Sequence, residues 1–210
     1  MKHATDWIHS KLYSLTPLCE YITQILMFGS RLGEMVRMEH DDHGDCPAAA
    51  YLRQQPENLV VNGYRNWVAG LAHSDSRYWD AAWAVHARAL GATDGQIAVD
   101  AMADLVRQLG ACATCPLRFY KPGAGHLCRD ECLVLGMVSG AQHGDEDILV
   151  QSAKLLTCSD ACVEVIGRAS AYAAILLGHS QRLTPIPLSA IVDIDMRSTF
   201  AGSRASGSLH

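Results

Sequence analysis

Residues 79–110 read WDAAWAVHARALGATDGQIAVDAMADLVRQLG, and this stretch decides the fold class. Trp79, Trp83 and Leu90 before Gly91, and Ile97, Val99, Met102, Leu105 and Val106 after it, recur at helical rather than alternating spacing. Gly91 and Gly110 are natural C-caps, because glycine takes the left-handed backbone that ends a helix without a Cβ penalty. Thr93-Asp94-Gly95-Gln96 fits a capping box, in which Thr93 accepts a first-turn N–H and Gln96 reaches back. No run elsewhere alternates as strands do, so the pattern predicts an all-α, multi-helix bundle.

The same periodicity extends outward. Trp67 and Leu71 continue it towards the N-terminus, and residues 127–139, 145–156 and 159–177 read as further helices. Thr16-Pro17 starts a long packing helix that carries Leu18, Ile22, Ile25, Leu26, Leu32, Met35 and Val36, and Asp45 before Pro47 opens a short one. The stretch around Pro56 to Gly63 reads as a linker. Residues 1–182 are therefore expected to form a single helical domain with a point of subdivision near 56–63. Residues 183–210 are expected to form an extended, flexible C-terminal tail with little to bury. Two internal echoes suggest duplicated helix-turn-helix units. One matches Cys128-x-Asp130-x-Cys132 to Cys158-x-Asp160-x-Cys162; the other matches Gly91-Ala92 to Gly140-Ala141.

Composition narrows the classes of function. Of 210 residues, 49% are hydrophobic and 19% charged, which calls for a well-filled core or a sizeable subunit contact, and a homodimer is expected. The three tryptophans at 67, 79 and 83 read as core or as that subunit seam. A formal net charge of −5 argues against general nucleic-acid binding. No stretch approaches the roughly 20 apolar residues that span a bilayer, and Met1 to Trp7 carry no apolar run, so a cytoplasmic location is expected and no membrane association. Disulfides are uncommon there, which favours reduced thiols, ligated thiolates or a transient redox pair.

Six of the eight cysteines fall in close pairs, Cys112/Cys115, Cys128/Cys132 and Cys158/Cys162. Short antiparallel connections would bring all three pairs to one end of the bundle. Four thiolates there could take zinc tetrahedrally or hold an iron–sulfur cluster, and the six cysteines form the candidate ligand pool. The Cys-x-x-Cys spacing of Cys112 and Cys115 also fits an exchangeable redox pair, although the βαβ setting usual for that motif is missing. Arg118, Lys121 and His126, in a loop that also carries Phe119, Tyr120, Gly123 and Gly125, are candidate anion contacts together with Arg129 just beyond it. A second constellation, Glu39, His40, Asp41, Asp42, His43 and Asp45, has metal-ligating side chains but also the composition of a polar helix end.

Trp79-x2-Ala82-x3-His86 followed by Gly91-Ala92-Thr93 resembles the helical alkyl-hydroperoxidase family related to carboxymuconolactone decarboxylases. The resemblance implies a helical setting for His86. It does not carry the peroxidase activity over, because Trp79 and Ala82 stand where that chemistry needs two cysteines. His86 otherwise reads as a core-edge or surface histidine.

These features support a helical sensor or adaptor with a zinc or iron–sulfur site. The alternatives are a cofactor-free homo-oligomeric module that binds a protein or a small anionic ligand, and a thiol oxidoreductase using Cys112/Cys115.

Overall fold

The computed structural model describes residues 47–160 and 162–194. A 3-10 helix over Pro47–Arg53 leads into α1 (Gln55–His73), α2 (Ser76–Leu90), α3 (Ala92–Cys112), α4 (Arg129–His143), α5 (Glu146–Thr157) and α6 (Val163–Gly178). Residues 188–194 form a last helical stretch. The protein is an all-α, multi-helix bundle, with no β-strand among the described residues. The helix expected from Thr16 to Val36 and the Glu39–Asp45 constellation lie outside the described residues.

Two helical corners share one design. Val68-Ala69-Gly70-Leu71-Ala72-His73-Ser74-Asp75 and Val138-Ser139-Gly140-Ala141-Gln142-His143-Gly144-Asp145 match at a constant offset of 70 residues. Ser74 and Gly144 are both left-handed, with φ 52° and 67°, and each donates its N–H to the carbonyl of Gly70 or Gly140 to close the helix. Asp75 and Asp145 then cap the next helix, accepting from the Arg77 and Ile148 amides at 3.0 and 3.1 Å. The missing side chain at Gly70 makes room for the Trp79 ring, and at Gly140 for the backbone of Leu149. These two turns correspond, whereas the earlier echoes do not: Cys128 is an N-cap and Cys158 a C-cap, and Gly91 starts α3 while Gly140 lies within α4.

α1 and α2 pack together, as do α4 and α5, and the contacts of α3 with α6 and of α4 with α6 join the rest into one core. Val60, Tyr64, Val68, Met102, Leu105, Leu109, Leu133, Met137, Leu156, Tyr172 and Leu176 line it with no measurable exposure. Trp67 is buried, and Trp79 and Trp83 pack half-buried against the same core.

Three local expectations change. Pro56 lies in the first turn of α1, where its missing N–H costs nothing, so residues 56–63 are helix rather than linker. Gly91 itself caps the start of α3 at φ 86°, which places Thr93 inside the first turn and leaves Gln96 bonded to Asp100 at 3.1 Å. Residues 183–194 belong to the packed body: Leu183, Ile186 and Ile191 are buried.

The α2–α3 corner is tight at one glycine. A Cβ on Gly95 would lie 2.6 Å from the Ala87 Cα and N, and backbone atoms cannot rotate away. Gly95→Ala is expected to destabilise the fold by about 1–3 kcal/mol, measured by urea unfolding, despite alanine's better helix propensity.

Candidate functional site

The loop between α3 and α4 is shaped by two acidic residues in the first turn of α4. Asp130 accepts from the Arg118 amide at 2.7 Å, and Glu131 accepts from the Tyr120 and Cys128 amides at 2.7 and 2.9 Å. Carboxylates are favoured at a helix N-terminus, and here they also gather the orphan donors of an irregular segment. Glu131 forms a forked ion pair with Arg65 of α1 at 2.7 and 2.9 Å, both side chains fully buried. Arg65 donates further to the carbonyls of Ala124 and His126, and its guanidinium lies 5.9 Å from the Tyr120 ring centroid.

On this frame the cysteines take separate places. Cys115, in the loop, is disulfide-bonded to Cys158, the C-cap of α5. Backbone contacts lock the two segments together beside the bond: the Thr114 amide donates to the Thr157 carbonyl at 2.9 Å, and the Thr114 hydroxyl to the Cys158 carbonyl at 3.1 Å. Cys158 is exposed and left-handed at φ 53°, whereas Cys115 is half-buried. The expected Cys112–Cys115 pair is thus replaced by a pairing across 43 residues. Cys112 sits one turn before Cys115 at the end of α3, where Gln108 donates to its Sγ at 3.1 Å.

Cys112, Cys128 and Cys162 are free thiols. Burial pushes the Cys162 thiol pKa up, the positive charge of Lys154 opposes that shift, and nearby Cys112 adds to it. Lys154 is in turn held by Asp160 at 2.9 Å. Cys128 faces elsewhere: its Sγ donates to the Arg118 carbonyl at 3.5 Å, and burial holds its thiol well above the usual range. Tyr64, buried beside it, donates to the same carbonyl at 3.2 Å. The sequence-predicted ligand pool of six therefore divides, with Cys112, Cys115, Cys158 and Cys162 together, Cys128 turned to the Arg118 carbonyl, and Cys132 half-buried in α4 against the core. No group of three or more histidine, cysteine, aspartate or glutamate side chains is placed to hold a metal ion among the described residues.

Among the candidate anion contacts, the charges of Arg118 and Arg129 both act on Asp130. Arg118 and Lys121 are exposed, and the Arg118 backbone amide donates to the same Asp130. Arg129 bonds Asp130 at 3.2 Å and the Leu155 carbonyl at 3.1 Å, and His126 contributes its carbonyl to Arg65. Arg65, Asp130, Glu131 and Tyr64 were not legible as partners, since no local motif links α1 to a loop some sixty residues on.

His86 is fully buried, and not at an edge or surface. Its Nδ1 lies 2.8 Å from the Ala82 carbonyl and its Nε2 2.9 Å from the Tyr172 hydroxyl. A carbonyl can only accept, so Nδ1 carries the proton and Nε2 accepts from Tyr172. Burial lowers the histidine pKa to about 4 and raises that of Tyr172, so both are neutral at physiological pH. Gly63 leaves the space the ring occupies: a Cβ there would be 2.6 Å from the imidazole Cε1.

Among the described residues no helix is long and apolar enough to cross a membrane. Comparison of the chain with family models, curated proteins and solved structures finds no match in any of the three.

Proposed function

We propose that the cysteine-rich end of this bundle is a thiol–disulfide exchange site, with Cys115 and Cys158 as the exchanging pair. The observation that carries this reading is the disulfide between a half-buried and an exposed sulfur, with the free thiols of Cys112 and Cys162 at the same end. A zinc or iron–sulfur centre needs three or four convergent thiolates, and two of the four sulfurs at this end are already bonded to each other, which supports exchange better.

The partner is a dithiol reductant. One of its thiolates attacks the exposed Cys158 Sγ in line with the disulfide. The Cys115–Cys158 bond breaks and Cys115 leaves as a thiolate that takes a proton from water. The partner's second thiolate then attacks its own sulfur in the mixed disulfide and releases Cys158. Two electrons pass to the protein, and the partner ends as a disulfide. The Leu156 carbonyl, 3.7 Å from the Cys115 Sγ, is placed to accept from the new thiol. Reduction also removes the covalent tie between the α3–α4 loop and the α5 C-terminus and leaves the Thr114 hydrogen bonds to hold them, which gives a redox sensor a structural output.

The test is a titration of the full chain in glutathione buffers of graded potential, with thiols alkylated and disulfides mapped by peptide mass spectrometry. The expected result is a single Cys115–Cys158 linkage that opens reversibly while the helical circular dichroism persists. Cys115 and Cys158 remaining free thiols in oxidising buffer, or joining other cysteines, would defeat the assignment.

A further inference from the structure

The segment after α6 lies in a groove whose walls read its backbone. Gln142 of α4 donates to the Gln181 carbonyl at 2.9 Å and accepts from the Leu183 amide at 2.8 Å. His143 bonds the Leu183 carbonyl at 2.9 Å, and Ser139 donates to the Thr184 carbonyl at 2.9 Å. Glu57 of α1 accepts from the Thr184 amide at 2.7 Å. Both backbone groups of Leu183 and of Thr184 are thus met by side chains of other helices. The apolar anchors are Leu183, Ile186 and Ile191, the last seated against Gly136, where a Cβ would be 2.9 Å from its Cδ1.

The link that delivers this segment is short and strained. α6 ends at Gly178, and Ser180 follows at φ 59°, a conformation unfavourable for a residue with a Cβ. Its amide donates to the Leu177 carbonyl at 3.1 Å, which closes the bend.

We infer that residues 181–194 exchange between two copies of the chain, each segment filling the other's groove to give a reciprocal dimer. The Gln181 amide donates to the Leu176 carbonyl of its own α6 at 2.9 Å and is given up with the bend, but the contacts with Gln142, His143, Ser139 and Glu57 do not depend on the segment following its own α6. Closed monomer and exchanged dimer therefore share those contacts and differ chiefly at the hinge, where opening releases the left-handed Ser180. The association entropy opposes exchange, so the dimer is favoured at high protein concentration and by whatever disfavours the bend.

The test is light scattering coupled to size exclusion on the full chain, refolded at high concentration, beside Ser180→Gly and Ser180→Pro. Glycine adopts the bend freely and is expected to lower the dimer share roughly tenfold per hinge. Proline cannot adopt φ 59° and lacks the donating amide, so it is expected to raise the dimer share by roughly tenfold or more. Hydrogen exchange at the Leu183 and Thr184 amides reports whether the groove is filled, and these are expected to stay protected in the dimer. A monomeric Ser180→Pro, with those amides protected or exposed, overturns the inference. Should that variant fail to fold, a wild-type chain that yields no dimer on concentrated refolding, or a dimer share unmoved by Ser180→Gly, overturns it equally.

Discussion

Glu131→Gln is expected to lower the stability of the folded chain by about 3–5 kcal/mol, the cost of breaking a buried ion pair from one side. Arg65 and Glu131 have no exposed side-chain surface, so the guanidinium left behind has no water to replace its partner. The geometry adds a second penalty. One Glu131 oxygen accepts from the Arg65 Nε and the Tyr120 amide, the other from the Arg65 Nη2 and the Cys128 amide. An amide group turns one of these acceptors into a donor facing N–H groups. The loop that carries Cys115 should loosen with it, because Tyr120 and Cys128 lose their anchor. Thermal unfolding should drop by roughly 6–20 °C for a chain of this size, and urea unfolding supplies the free energy. A loss below about 1 kcal/mol would show that the pair is not closed in solution. Arg65→Met should be as costly. The double variant should cost less than the sum, since each substitution removes the charge the other strands.

The sequence pattern revealed what short-range physics determines. The apolar period through residues 79–110 identified α2 and α3, and Gly91 located the turn between them, because helix faces and caps depend on neighbours a few residues away. Antiparallel reasoning placed all three cysteine pairs at one end, and it holds for Cys112, Cys115, Cys158 and Cys162, whereas Cys128 turns to the Arg118 carbonyl instead. Which sulfurs would bond was not legible. Cys115 reaches Cys158 because the loop folds back from α3 under the control of Asp130, Glu131 and Arg65, and none of those long-range bonds leaves a local signature. Pro56 misled for the opposite reason: a proline in the first helical turn looks the same in sequence as one in a linker. The segment holding Leu183 and Ile186 looked like a tail because Pro185 and Pro187 break any period, yet it is bound through its backbone, which no side-chain pattern records.

The His86–Tyr172 pair sets the second large expectation, in pH. Folded His86 has a pKa of about 4 against the ordinary 6.5, so between those values the unfolded chain takes up a proton that the folded chain refuses. The more protonated state gains as pH falls, and that state is the unfolded one. Stability due to His86 is therefore whole above about pH 6.5 and declines with acid by as much as 1.4 kcal/mol per pH unit. About 3 kcal/mol is lost by pH 4, where the folded imidazole begins to protonate and the slope flattens. Asp130 works against this at the acid end, because burial raises its pKa and the folded chain then takes its proton first. The contribution of His86 is isolated by comparing the wild type with His86→Gln in urea unfolding from pH 4 to pH 8. The glutamine variant should be less stable at pH 8, having lost the fitted bridge from Ala82 to Tyr172, but its stability should fall less steeply between pH 6.5 and 4. Parallel curves would mean that His86 is solvated or charged in the folded chain. Converging curves would establish a neutral imidazole as a structural element of the core.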